Sequence, residues 1–350
     1  MMSNKKILIL GYFGYEENQL DGQTIKTRNI YNLFSLKQQQ EKFYLSSFDT
    51  QSFQKNKLNI FKMFSAIIKS NTLIYIAAHN NLKYLFPIIF VTSRLFHVKI
   101  HYMVVGGWLA DFIKTKQLHI RFLNKIEGIY PETKDLYHRL KNEYDFQNIY
   151  QLHNFRIINK NKISKTLKKT DKNHIKLVFM ARVQPMKGVE VLFSLAEKLK
   201  YEKIKNVTID IYGPILNEYN QIFKQKLKKH KIIDYKGILL PDDIHYTLKN
   251  YDLMLFPTQF YTEGFPGSIL DAYISGIPVI ATSWKYANEF IENYVSGIIV
   301  EFNNPNAFIK ETIQILKNPN EIDRMKKCAI KQYEKYNFEK AWMILKNRLI

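Results

Sequence analysis

Short apolar runs alternate along this chain with stretches whose apolar residues fall at helical spacing. Residues 6–10, 42–46, 72–77, 99–105, 126–130 and 149–152 read as strands. Several are apolar throughout, as strands covered on both faces of a sheet are. A second series repeats the pattern at 175–180, 207–212, 233–236, 253–256 and 279–281, with 289–291 and 297–300 completing it. Helices are predicted at 24–34, 58–68, 134–143, 189–200, 218–230, 242–249, 268–275, 308–316, 321–336 and 338–350. Strands alternating with helices predict parallel sheets with helices on their faces. The two series are separated by a polar, Lys-rich interval without clear periodicity, which reads as a linker. The expected division is therefore a first α/β domain at 1–158, a basic linker at 159–174, a second α/β domain at 175–336 and a last helix at 337–350. No internal repeat or low-complexity tract is evident.

The most informative stretch runs from Glu263 to Pro278, EGFPGSILDAYISGIP. Glu263, Gly264, Phe265, Pro266 and Gly267 form a turn that feeds a helix at Ser268 and Ile269, and Gly276 and Pro278 end it. The first N–H groups of a helix have no intrahelical partner and carry the positive end of the dipole, so such a turn can hold a phosphate. Glu263 and Asp271, with seven residues between them, can accept hydrogen bonds from sugar hydroxyls. Phosphate donors beside hydroxyl acceptors describe a nucleotide-sugar site. A second cationic turn supports this. Arg182 and Lys187 flank Val183-Gln184-Pro185-Met186 ahead of a helix start, and two cations beside free N–H groups suit a diphosphate.

Other candidates lie in the first half. Gly22, Gln23 and Thr24 follow a Gly-rich loop after the first strand, as either cleft residues or an ordinary turn. His79 follows the strand at 72–77, where ligands of open α/β sheets bind, although a lone His is also a common structural residue. Gly106 and Gly107 permit close approach after the strand at 99–105, and Trp108 reads as a platform for a sugar ring or as a core residue.

The 263–280 stretch resembles the signature of retaining glycosyltransferases of family 4, namely Glu, seven residues, Glu, then Gly-x-Pro-Val-Ile. Here the second acid is Asp271, while Gly276, Pro278, Val279 and Ile280 are kept. The Arg182 to Gly188 segment resembles the family's Gly-Arg-…-Lys-Gly segment, with Ala181 at the Gly position. Gly106-Gly107-Trp108 resembles a subset of bacterial surface-polysaccharide transferases. The resemblance implies a GT-B fold of two Rossmann-like domains facing a cleft, with the last helix crossing back to the first domain. It implies a nucleotide-sugar donor and a lipid-linked or growing cell-surface glycan acceptor, as in capsule-type polysaccharide synthesis. Glu263 would contact the donor sugar, Asp271 the ribose, and Gly237 and Ile238 the base. His153 and Asn154 stand at the family's exit from the first domain. Retention would follow front-face attack by the acceptor. Two rival readings are a basic nucleic-acid-binding protein, and an epimerase or phosphorylase on the same fold.

Composition narrows these options. At 46% apolar and 24% charged the chain is globular. A single cysteine, Cys328, forms no internal disulfide and fits a reducing, cytoplasmic setting. The apolar start at 7–10 is too short for a signal peptide, and Arg94, His97, Lys99 and His101 interrupt the most apolar later stretch. The net charge of +21 is concentrated before residue 177 and suits an anionic membrane inner face, though it also fits plain solvated lysines. Lys57, Lys62 and Lys69 beside Leu58, Phe61, Phe64 and Ile68 suggest an amphipathic helix, packed on a sheet or lying on a membrane. RNA- and zinc-binding signatures are missing, so no nucleic-acid partner is expected. Asp-x-Asp, a P-loop and H-E-x-x-H are missing too, so neither a metal nor a cofactor is expected. The pair Asp242-Asp243 reads as a helix N-cap.

Overall fold

The computed structural model describes residues 5–16, 19, 21–158 and 167–350. The chain divides into two compact units, Met1–Ile157 with Tyr336–Ile350, and Ile158–Lys335. Half of the expected linker, residues 159–166, lies outside the described residues.

Unit 1 begins with β1 (Lys5–Gly11), α1 (Gly22–Glu41) and β2 (Phe43–Asp49). The short α2 (Ser52–Lys55) and α3 (Asn59–Ile68) lead to β3 (Thr72–Ala77). Next come α4 (His79–Tyr84), α5 (Phe86–Leu95) and β4 (Lys99–Val104). The unit continues with α6 (Leu109–Ile113), α7 (Gln117–Leu123), β5 (Gly128–Tyr130) and α8 (Lys134–Tyr144). The five strands are parallel in the order β2-β1-β3-β4-β5. Alternate residues of one strand face opposite sides of the sheet. Leu8, Leu10, Leu73 and Tyr75 therefore meet the helices that follow β2, while Ile7, Ile9, Ile74 and Ile76 meet α1.

Unit 2 opens with β6 (Ile175–Met180), α9 (Val189–Tyr201) and β7 (Val207–Tyr212), then α10 (Asn220–Leu227) and β8 (Ile233–Gly237). There follow α11 (Ile244–Leu248), β9 (Leu253–Phe256), α12 (Gly267–Ile274) and β10 (Val279–Thr282). The unit ends with α13 (Ala287–Phe290), β11 (Gly297–Val300), α14 (Pro305–Leu316) and α15 (Pro319–Tyr333). Its sheet is parallel in the order β11-β10-β9-β6-β7-β8. The chain then returns to unit 1 through α16 (Phe338–Leu349), capped by Asn337, with Trp342 edge-on to Phe34 at 5.4 Å.

Several sequence expectations change. Residues 149–152 form no strand; Ile149 makes one bridge to Ile129. Glu289 and Phe290 fall at the end of α13, and Ile291 follows it. The first helix continues past Phe34 to Glu41, and α5 arises where no helix was expected. Asp243 precedes α11 but makes no side-chain cap. Glu132 forms a buried ion pair with Lys26, whose Nζ lies 2.6 Å from Glu132 Oε1 and 2.5 Å from the Val104 carbonyl. In unit 2, Lys326 and Asp252 make a similar buried pair at 2.7 Å.

His101, on β4, is buried with Nδ1 2.9 Å from the Tyr130 hydroxyl. Burial first, then Lys5 and Lys99, push its pKa from the ordinary 6.5 to about 3. Between those values the unfolded chain binds a proton that the folded chain does not, so stability falls as pH falls through this window. Acidification from pH 6.5 to 5 is expected to cost about 2 kcal/mol. Denaturation of His101→Gln alongside the parent checks this, since the variant should lose that part of the pH slope.

Candidate active site

The strand order of unit 2 reverses direction between β6 and β9. From β6 the chain proceeds to β7 and β8 on one side, and from β9 to β10 and β11 on the other. Loops leaving the carboxyl ends of two such strands diverge and leave a crevice, the usual ligand position in open parallel sheets. The loop after β6 carries Arg182 and Lys187, and the loop after β9 carries Glu263 and leads into α12.

These loops are joined at three points. The Gln259 N–H donates to the Met186 carbonyl at 3.0 Å. Lys187 Nζ and Glu263 Oε1 form an ion pair, with side chains 23% and 13% exposed, so both remain within reach of a ligand. Gly188 sits so close to β9 that a Cβ there would lie 1.7 Å from the Pro257 carbonyl oxygen. Its φ of +79° is a conformation that glycine adopts without strain. Lys187 also lies 5.7 Å from the centre of the Phe260 ring, and Thr258 Oγ1 stands 3.4 Å from Glu263 Oε1. Arg182 is exposed, and its guanidinium has no partner among the described residues.

Pro266 is the N-cap of α12 and offers no side-chain cap. The Ile269 and Leu270 N–H groups both turn back to the Pro266 carbonyl, at 3.2 and 3.3 Å. Those of Gly267 and Ser268 have no partner among the described residues and lie at the positive end of the helix. Both residues are half-buried, as is Gly264. Asp271 lies one turn further in and is almost enclosed, with its Oδ1 3.0 Å from His245 Nε2 of α11. At the end of β8, Gly237 has a φ of +84° and accepts from the Gly213 N–H at 2.9 Å, while Ile238 is 51% exposed.

Unit 1 has its own reversal between β1 and β3. His79 is exposed there, in edge contact with Phe112 at 4.6 Å and tilted against Trp108 at 5.3 Å. Trp108 is half-buried, and its Nε1–H donates to the Val105 carbonyl at 2.6 Å. Gly106 has a φ of +80° and Gly107 is buried. Gly22 is exposed, and the Gln23 amide nitrogen is buried without a partner among the described residues.

Residues 159–332, about half of the chain, match the family model described as glycosyl transferases group 1. The chain belongs to the group 1 glycosyl transferases. It is 27% identical over 211 residues to a poly(ribitol-phosphate) alpha-N-acetylglucosaminyltransferase of Staphylococcus aureus, covering 59% of this chain and 40% of that protein. It is 25% identical over 166 residues to a UDP-Gal:alpha-D-GlcNAc-diphosphoundecaprenol alpha-1,3-galactosyltransferase of Escherichia coli, covering 45% and 41%. The alignments thus span well under two thirds of these relatives. Among solved structures, Anabaena Alr3699/HepE in complex with UDP and glucose matches with a TM-score of 0.72 at 14% identity, over 99% of both chains. That likeness shows the fold, the GT-B class built from two Rossmann-like units.

Some expected site residues have no surface to offer. Thr24 and Ile269 are fully buried, and the Thr24 hydroxyl is engaged in a capping box with Asp21. Phe265 is stacked on Phe290 with ring centres 4.1 Å apart, and Pro266 is buried. Phe265 and Ile269 anchor the turn in the core, while Gly267 and Ser268 between them stay half-buried. Sequence reasoning missed His245 and Thr258. His245 reaches Asp271 across 26 positions, a contact that no local spacing signals.

Proposed function

We propose that this transferase moves a sugar, with retention, from a nucleoside diphosphate sugar to a lipid-linked or growing surface glycan. The pairing of Lys187 with Glu263, beside the Gly267 and Ser268 N–H groups, carries this reading. Arg182 and Lys187 offset charge building on the departing diphosphate, which favours the transition state over bound substrate. The Gly267 and Ser268 N–H groups, with the Ser268 hydroxyl, hold a phosphate oxygen. Glu263 meets the donor sugar. Gly237 and Ile238 lie against the base, and Asp271 acts on the ribose together with His245. The aspartate is shorter than the family's glutamate, and His245, with a side chain 20% exposed, extends its reach. Gly22, Gln23, His79, Gly106 and Trp108 line the acceptor side, and the buried Gly107 lies beneath them.

The two bacterial relatives support the reading of surface-polysaccharide synthesis, since one name includes a diphosphoundecaprenol acceptor and the other a poly(ribitol-phosphate); family 4 and a capsule-type product are our own extension, from the 263–280 signature and the Gly106-Gly107-Trp108 stretch. We place the reaction at the cytoplasmic inner face of the membrane, in contact with anionic lipid. Among the described residues no helix is long and apolar enough to cross a membrane. The chemistry needs no metal, since the cations named already neutralise the diphosphate. Screening nucleotide sugars with a diphosphoundecaprenol-linked saccharide, with and without EDTA, tests the reading. Nucleotide release that requires the acceptor and persists in EDTA is expected. Release that ignores the acceptor would indicate hydrolysis or another reaction, and abolition by EDTA would overturn the metal-independent part.

A further inference from the structure

The helices of unit 1 that cover the Leu8, Leu10 and Tyr75 face of its sheet carry apolar residues on both sides. In α3, Met63 and Ile67 enter the core. Leu58, Phe61 and Ile68, around the opposite side, are 66%, 68% and 41% exposed. Along α4 and α5 a second outward stripe holds Tyr84, Ile88, Val91 and Leu95, spaced four, three and four apart, while Phe86, Ile89 and Phe90 pack inward. The helices α3 and α5 are in contact, so the two stripes are neighbours. Isolated exposed apolar residues are ordinary, but adjacent stripes form a patch that water covers poorly.

The charge around the patch is one-sided. From Ser52 to Lys125 there are eleven Lys and Arg and one acid, Asp111, which is itself paired with Arg139 at 2.7 Å. Lys57, Lys62, Lys69, Lys83 and Arg94 stand beside the stripes and are exposed. Next to α3, a recess of about 380 Å³ is lined by Lys6, Lys62, Lys69, Tyr44 and Ser65. Three of its lining residues are lysines.

We infer that the outer face of α3, α4 and α5 docks on an anionic lipid bilayer. The apolar stripes enter the headgroup boundary, and the recess beside α3 receives a lipid phosphate. Cations flanking an outward apolar stripe match a bilayer surface, where long basic side chains reach phosphates while the stripe sinks below them. A nucleic acid would use the cations but would leave Phe61, Ile88 and Leu95 without partners. This inference gives the membrane contact proposed above a surface, and it rests on that reading only for the biological setting. Vesicle binding is measured without donor or turnover, so failure here and failure of the transfer reading are separable.

The test is co-sedimentation of the full chain with phosphatidylcholine vesicles, with and without phosphatidylglycerol. Binding that requires phosphatidylglycerol is expected. The double variants F61S/L95S and L58S/I88S should each weaken it at least about tenfold, as expected for two large side chains withdrawn from an apolar medium. The variant K62E/K69E should weaken it by about fivefold or more for each cation removed. All of these positions are exposed, so melting temperatures should match the parent, and Tyr201→Ser in unit 2 should bind as the parent does. Absence of binding to phosphatidylglycerol vesicles would overturn the inference. So would parent-like binding by both apolar variants, which would mark the face as a general polyanion surface.

Discussion

Replacing Lys187 with alanine is expected to lower the turnover of sugar transfer by about 10²- to 10³-fold, the usual effect of removing one placed group that meets charge developing in the transition state. Lys187 lies in the single turn that ends at Gly188, and its ammonium faces Glu263 on the loop that leads into α12. A diphosphate leaving group gains negative charge as the glycosidic bond lengthens, so this cation interacts more strongly with the transition state than with the bound donor. The loss should therefore appear mainly in kcat, with a smaller change in donor affinity. Removing Lys187 also leaves Glu263 without its partner, so the variant must be compared with Lys187→Arg, which keeps a cation. Steady-state rates and melting curves for both separate the chemical effect from a structural one. Turnover within about threefold of the parent for Lys187→Ala would mean that the cation does not meet the reacting diphosphate.

Gly188→Ala is expected to destabilise unit 2 by more than about 3 kcal/mol, the upper range for forcing atoms into a packed site. Two independent costs combine. The backbone at Gly188 has a φ of +79°, and the new methyl would lie 1.7 Å from the Pro257 carbonyl oxygen, which belongs to the backbone leaving β9 and cannot swing aside. This contact also sets how the two ligand-bearing loops meet, so donor affinity should fall in whatever fraction remains folded. Gly22→Ala is the control. Nothing lies within 4 Å of a Cβ at Gly22, and the position opens α1, so its cost should stay within about 1 kcal/mol. Urea denaturation of the two variants checks the contrast. Equal midpoints would show that the close approach at Pro257 relaxes cheaply.

Much of the fold was legible because parallel strands buried on both faces leave continuous apolar runs, such as residues 72–77 and 253–256. The α12 turn was legible because Gly and Pro punctuate it at both ends. The helix α5 was not. Residues 86–95 are apolar on the inward and outward sides alike, so helical periodicity vanishes from the sequence, and the same feature produces the exposed stripe through Ile88, Val91 and Leu95. The Lys26–Glu132 and His245–Asp271 pairs escaped for another reason. Each joins residues far apart in the chain through a contact that only the tertiary fold creates. Thr24 shows a further limit, because a hydroxyl at the start of a helix reads equally as a ligand contact and as part of a cap.

The most direct test of the diphosphate site is calorimetric titration of the full chain with UDP, and with GDP and ADP as alternatives. One of these nucleotides should bind, with affinity at least about tenfold weaker in the double variant R182A/K187A and unchanged in Trp108→Ala. Binding of no nucleoside diphosphate, or binding indifferent to the loss of both cations, would contradict the assignment of this crevice to a sugar-bearing pyrophosphate.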